Sequence, residues 1–245
     1  MEVHTHPHTD RKKFTHYLWE FLMLFLAVFC GFLAENIREK QVEHHREKEY
    51  MRSLIQDLQE DTRDIDRTLE LGSVVTEKLD SFIYILDEKD PDENAYDLYR
   101  LGSIAGRIIR VSFNDRTSSQ LKYAGTMRLI RSSDLSDSIQ SYWTLVKIAE
   151  SIAQRMEDIQ SKAGDISVQM IRYKYFGRAN SANPFAASLS KDAKLINSDP
   201  KLIAQLSNHC RTRLVVLYNY IINIKETKAM ALRLVDLLKK EYHLK

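Results

Sequence analysis

Glycine and proline are scarce: seven and four in 245 residues, less than half the roughly 12% that the two together average. A β-sandwich or barrel turns about every 8 to 12 residues and draws on both types at its turns, so that class is excluded in favour of a few long helices. Cysteine is scarcer still. Cys30 falls in an apolar run and Cys210 far away on a late helix, with no C-x-x-C for zinc or redox chemistry. Charge of one sign is also missing overall: the net charge of +2 makes no case for nucleic acid. The motifs H-E-x-x-H, G-x-S-x-G, G-x-G-x-x-G and the phosphate loop are absent. So are paired Glu-x-x-His repeats, which a di-iron bundle needs. The expectation is a protein without catalytic residues, without a cofactor and without a nucleic-acid partner.

Only one long apolar run is present. FLMLFLAVFCGFLA (21–34) is unbroken, and with Tyr17, Leu18, Trp19 and Glu20 it reaches eighteen residues, about 27 Å of helix. That approaches the hydrocarbon thickness of a bilayer, about 30 Å. Tyr17 and Trp19 stand at one end, where amphipathic rings favour the interface. No small-x-small cleavage site precedes Glu35, so the segment reads as a retained anchor in contact with lipid through residues 17–34. Ala27-x-x-x-Gly31 is a weak small-residue contact face. Glu20 is the one ionisable residue in the span. It either snorkels to the headgroups or forms a ring of charge in an oligomeric pore; the first is the simpler reading. Basic residues flank both ends, three (Arg11, Lys12, Lys13) against four (Arg38, Lys40, Arg46, Lys48). The export-signal character of 11–34 favours an inside N-terminus and a periplasmic bulk.

The expected fold class is all-α: a single transmembrane helix continuing into a stalk, then an extramembrane helical bundle. A polar, histidine-containing tail covers 1–13, the anchor 14–36, a charged stalk 37–50 and the bundle 51–245, with loops near 87–94 and 177–199. Met51, Ile55, Leu58, Thr62, Ile65 and Leu69 follow 4-3 spacing, a heptad stripe suited either to self-association or to packing within the chain. Gly72-Ser73 is expected to kink this helix. Further helices are expected over 95–111, 118–130 and from Ser132–Asp134 to about Tyr175. Asp199 followed by Pro200 starts a last helix. Its seam is expected at Leu217, Ile221, Ile224, Lys228, Ala231, Val235, Leu238 and Tyr242.

These residues carry a resemblance. The anchor YLWEFLMLFLAVFCGFLAEN, the stretch EYMRSLIQDLQED (49–61) and TSSQLKYAGTMRLIRSSDLSDSIQSYW (117–143) resemble a Bacteroidota domain-of-unknown-function family of short single-pass membrane proteins. Within them, Leu121, Gly125 and Ile130 lead to the paired aromatics Tyr142 and Trp143. The resemblance implies an anchor, a stalk and a helical domain in a bacterial inner membrane. It brings no reaction and no functional residues.

Two constellations remain. His4, His6 and His8 alternate in the tail, a pattern that can bind Zn²⁺ or Ni²⁺, but an unorganised tail is poorly suited to hold a metal, and none is expected. His44 and His45 read as solvated stalk residues. Charge segregation is sharper: residues 57–93 hold thirteen acids against four bases, while 98–133 hold seven bases against Asp115 alone. Arg107, Arg110, Arg116, Lys122, Arg128 and Arg131 are the candidate anion-binding face. The alternative is that the two stretches lie side by side and neutralise each other. The leading functional expectation is a non-catalytic scaffold or interaction subunit that pairs with itself or a partner. The rivals are a homo-oligomeric channel and an envelope sensor for an anionic ligand.

Overall fold

The computed structural model describes residues 14–123, 126–130, 132–177 and 188–244, without the side chains of 123, 126 and 129. The histidine tail and Arg131 lie outside the described residues. The protein is all-α. Helix α1 spans Phe14–Glu88, α2 Ala95–Ala105, α3 Arg116–Tyr123, α4 Ser133–Met170 and α5 Pro200–Tyr242. Short 3-10 turns cover Thr126–Leu129 and Tyr173–Tyr175. The chain forms two compact units, residues 1–50 and 51–245.

Within the first unit the apolar stretch of α1 has the length and composition to cross a membrane, and none of its most apolar window is buried. The consecutive residues Phe21, Leu22, Met23 and Leu24, which point to four different sides of the helix, all stand exposed. Apolar side chains on every face are consistent with a helix surrounded by a membrane.

The second unit is a bundle with its core on the helix seams. The α1 stripe is spent inside the chain: Met51, Ile55, Leu58, Thr62 and Ile65 are buried and Leu69 half-buried. This decides between the two uses of the heptad in favour of intramolecular packing. Helix α5 runs antiparallel to this part of α1, tied by Lys228 to Asp66 at 2.5 Å and by Arg211 to Asp87. Ala149, Ala153 and Met156 of α4 pack with Leu217, Tyr220 and Ile224 of α5 and with Ile65 and Val75 of α1 in one cluster. A second cluster joins Leu79 and Phe82 of α1, Leu98 and Leu101 of α2, Met170 of α4 and Leu206 of α5.

The helix starts follow local capping. Ser132 accepts from the Leu135 amide, and Asp199 accepts from Lys201 at 2.8 Å ahead of Pro200. Several other expectations are corrected. The helix is not interrupted at Gly72; α1 continues through it, and Gly72 faces Ile221 and Ile109. Helix α2 stops at Ala105 rather than Val111. The Arg107 carbonyl, which would take the Val111 amide in a helix, accepts from the Arg213 guanidinium instead, and the Val111 amide donates to the Tyr220 hydroxyl at 2.8 Å. Helix α4 stops at Met170 rather than Tyr175 for the same kind of reason. The Arg172 amide donates to the Tyr99 hydroxyl at 2.6 Å and the Met170 carbonyl accepts from Ile196 at 2.7 Å. The third helix begins at Arg116 and gives way to the 3-10 turn. On α5 the expected seam is buried at Leu217, Ile224, Ala231, Val235, Leu238 and Tyr242, while Ile221 and Lys228 are only half-buried; Tyr220, Thr227 and Leu234 widen it, and Arg213 sits on it near the start.

Candidate functional site

Three residues of the expected basic face have separate partners. Arg116 bonds Asp57 at 2.6 Å and Glu60 at 3.1 Å, both on α1. Arg110 reaches Glu157 on α4 at 3.3 Å. The Lys122 ammonium lies 4.1 Å over the Trp143 ring, a cation–π contact. Its pKa is lowered, first by burial and then by Lys147. Arg128 is exposed on the 3-10 turn, and Arg107 is exposed while its carbonyl serves Arg213. Arg116 thus joins the acidic stretch directly, and Arg110 and Lys122 are engaged by α4. In the anchor, Glu20 sits 3.1 Å from the His16 ring one turn before it, both half-exposed.

Asp57 and Asp61 organise a buried polar joint. Asp57 accepts from Arg116 and from the Thr117 amide at 3.1 Å, capping the start of α3 from α1. Asp61 accepts from the Asn114 amide at 2.8 Å, the Asn114 side chain at 3.0 Å and the Tyr142 hydroxyl at 2.5 Å. Burial holds the Asp61 carboxyl above its usual range against these hydrogen bonds, and raises the Tyr142 hydroxyl strongly. Both oxygens of each carboxylate are satisfied, so the joint is a staple.

The candidate site lies elsewhere in the bundle, in a cavity of about 690 Å³ between α1, α2, α4 and α5. That volume is within the range of small-molecule sites, about 300–1,000 Å³. Leu79, Phe82, Leu98 and Met170 supply apolar wall; Gln160 and Ser167 of α4 supply polar groups. Cys210 and Arg213, one turn apart on α5, also line it, and both are over nine-tenths buried. Burial pushes the Cys210 thiol up to about 12, which makes it a poor nucleophile. Arg213 donates to the Ala105 and Arg107 carbonyls at the end of α2, the negative end of that helix. Its Nε–H has no acceptor. Among the described residues no group of three or more His, Cys, Asp or Glu is placed to hold a metal ion.

Sequence reasoning missed Arg213. The available signal was its register: it lies four positions before Leu217 and three after Cys210, which puts a cation on an otherwise apolar stretch of the seam. No family model, no curated protein and no solved structure matches this chain.

Proposed function

We propose that this chain is a single-pass bacterial inner-membrane protein acting as a non-catalytic interaction subunit, with 14–36 as the anchor and 51–245 as the binding domain. The observation that carries the reading is that α5 has two apolar faces and only one is spent. Its inner seam is buried, yet Val215, Tyr218 and Ile222 follow 3-4 spacing on the outer face, with Leu232 in the same register beyond Lys225 and Ala229, each of the four about half-exposed or more. The occupant we assign is a second copy of this chain. Copies anchored in one bilayer are held parallel and at high local concentration, so a modest apolar stripe suffices. The His16–Glu20 pair favours the anchor over the pore, because the His16 ring 3.1 Å away gives the carboxylate a partner without a ring of subunits. The periplasmic side is assigned to the bulk from the export-signal character of 11–34, and the Bacteroidota resemblance agrees with that setting.

Ile222→Cys in a Cys30→Ala, Cys210→Ala background, oxidised in native membranes, tests the pairing. A disulfide-linked dimer is expected. A strictly monomeric product, or an adduct with a different protein, overturns self-association. Topology is read by Asp92→Cys in the same background with a membrane-impermeant maleimide. Labelling in cells with only the outer membrane permeabilised supports the periplasmic placement; labelling only after full lysis reverses it.

A further inference from the structure

Arg213 is a buried cation with no carboxylate opposite it among the described residues. Of a guanidinium's five N–H donors, one reaches the Ala105 carbonyl, one reaches the Arg107 carbonyl at 2.5 Å, and Nε–H reaches nothing. Helix-end carbonyls carry only about half a charge in sum, so they offset part of a full positive charge. A buried charge left short of partners is costly, and helix α2 could have ended on a neutral donor at no such cost.

The cavity beside it has a one-sided electrostatic lining. Arg100, Arg107 and Arg213 all line it, and no Asp or Glu does. Arg100 is exposed and paired with Asp97 at 2.8 Å. The remaining wall is largely apolar, with Gln160 and Ser167 adding neutral hydrogen-bonding groups. Water alone would satisfy a small polar pocket. An apolar space of this size next to an undercompensated guanidinium suits an organic anion with a hydrophobic body.

We propose that this cavity binds an amphiphilic organic anion, its carboxylate or phosphate head on the Arg213 guanidinium and its apolar body against Leu79, Phe82, Leu98 and Met170. The site lies wholly within the 51–245 unit and stands whether or not copies of the chain pair. The chemistry is shared by fatty acids drawn from the bilayer and by soluble amphiphilic acids.

The probe is octanoate, titrated calorimetrically into the full chain in lipid nanodiscs with empty discs subtracted. Saturable binding is expected, with octanol and inorganic phosphate each at least about tenfold weaker, since head and body both contribute. Arg213→Gln is expected to weaken octanoate at least about tenfold, the scale of a charge-assisted hydrogen bond. Ala163→Phe, which fills the cavity from α4 and leaves Arg213 in place, is expected to abolish binding; it decides the matter if Arg213→Gln does not fold. Absence of binding to the wild-type chain overturns the proposal. So does octanol binding as tightly as octanoate, or octanoate affinity that survives Ala163→Phe. Extraction of the chain purified from membranes separates the two sources. A fatty acid recovered from the wild-type chain and lost in Ala163→Phe supports the bilayer source; octanoate binding with no recovered lipid supports the soluble one.

Discussion

The Tyr142 hydroxyl on α4 donates to the Asp61 carboxylate on α1 at 2.5 Å, while both residues are almost fully buried. The same carboxylate receives the backbone and side chain of Asn114. One acidic group thereby joins two long helices to the irregular stretch between α2 and α3.

Tyr142→Phe keeps the ring's packing and removes the donor. It is expected to cost about 1–3 kcal/mol, because a buried carboxylate is left with one fewer partner. For a domain of this size that lowers the melting temperature by roughly 2–4 °C per kcal/mol. The melt is read from Trp143 fluorescence in a Trp19→Phe background, with the full chain in detergent. An unchanged midpoint contradicts the joint.

Asp61 also sets a pH dependence with a definite sign. Burial raises its carboxyl, Tyr142 and Asn114 oppose that, and Asp57 adds to it. From the unfolded value of about 3.9 up to the raised folded value, the folded chain holds more proton than the unfolded one. The Asp61 contribution to stability therefore falls as pH rises through that window. Asp61→Asn removes this loss. The difference in melting temperature between the two proteins should shift in the variant's favour from about pH 4 to about pH 7; a shift the other way contradicts the assignment.

Gly72 offers a stabilising change. A Cβ there would meet Ile221 at 3.5 Å and Ile109 at 3.9 Å, ordinary contact distances, and the residue lies inside α1. Gly72→Ala is expected to stabilise the bundle by about 0.5–1 kcal/mol through reduced backbone entropy loss. A lower melting temperature instead would mean that α1 and α5 approach more closely at this point.

Cys210 should be slow to alkylate. With its thiol pushed up to about 12, only about one thiol in ten thousand is ionised at about pH 8. In a Cys30→Ala chain, iodoacetamide should modify Cys210 at a rate that rises sharply in denaturant. Rapid modification of the folded chain would contradict its buried setting.

Several features were legible in the residues alone because they depend on neighbours a few positions away. The lipid-compatible run shows itself in composition, the starts of α4 and α5 in Ser132 and in Asp199-Pro200, and the inward stripe from Met51 in heptad spacing. Where α2 and α4 end was decided only by tertiary structure. Helix propensity continues past Ala105 and Met170, but the backbone groups that would extend each helix find distant partners in Arg213, Tyr220, Tyr99 and Ile196. The burial of Arg213, Tyr220 and Thr227 beside the expected α5 seam has the same origin. Several faces of α5 are apolar enough to bury, and packing against α1 and α4 selects one. That selection turns Arg213 inward to the cavity and leaves Val215, Tyr218 and Ile222 outside. Local sequence sets where a helix can begin and which faces are apolar; long-range hydrogen bonds and packing set where it stops and which face is used.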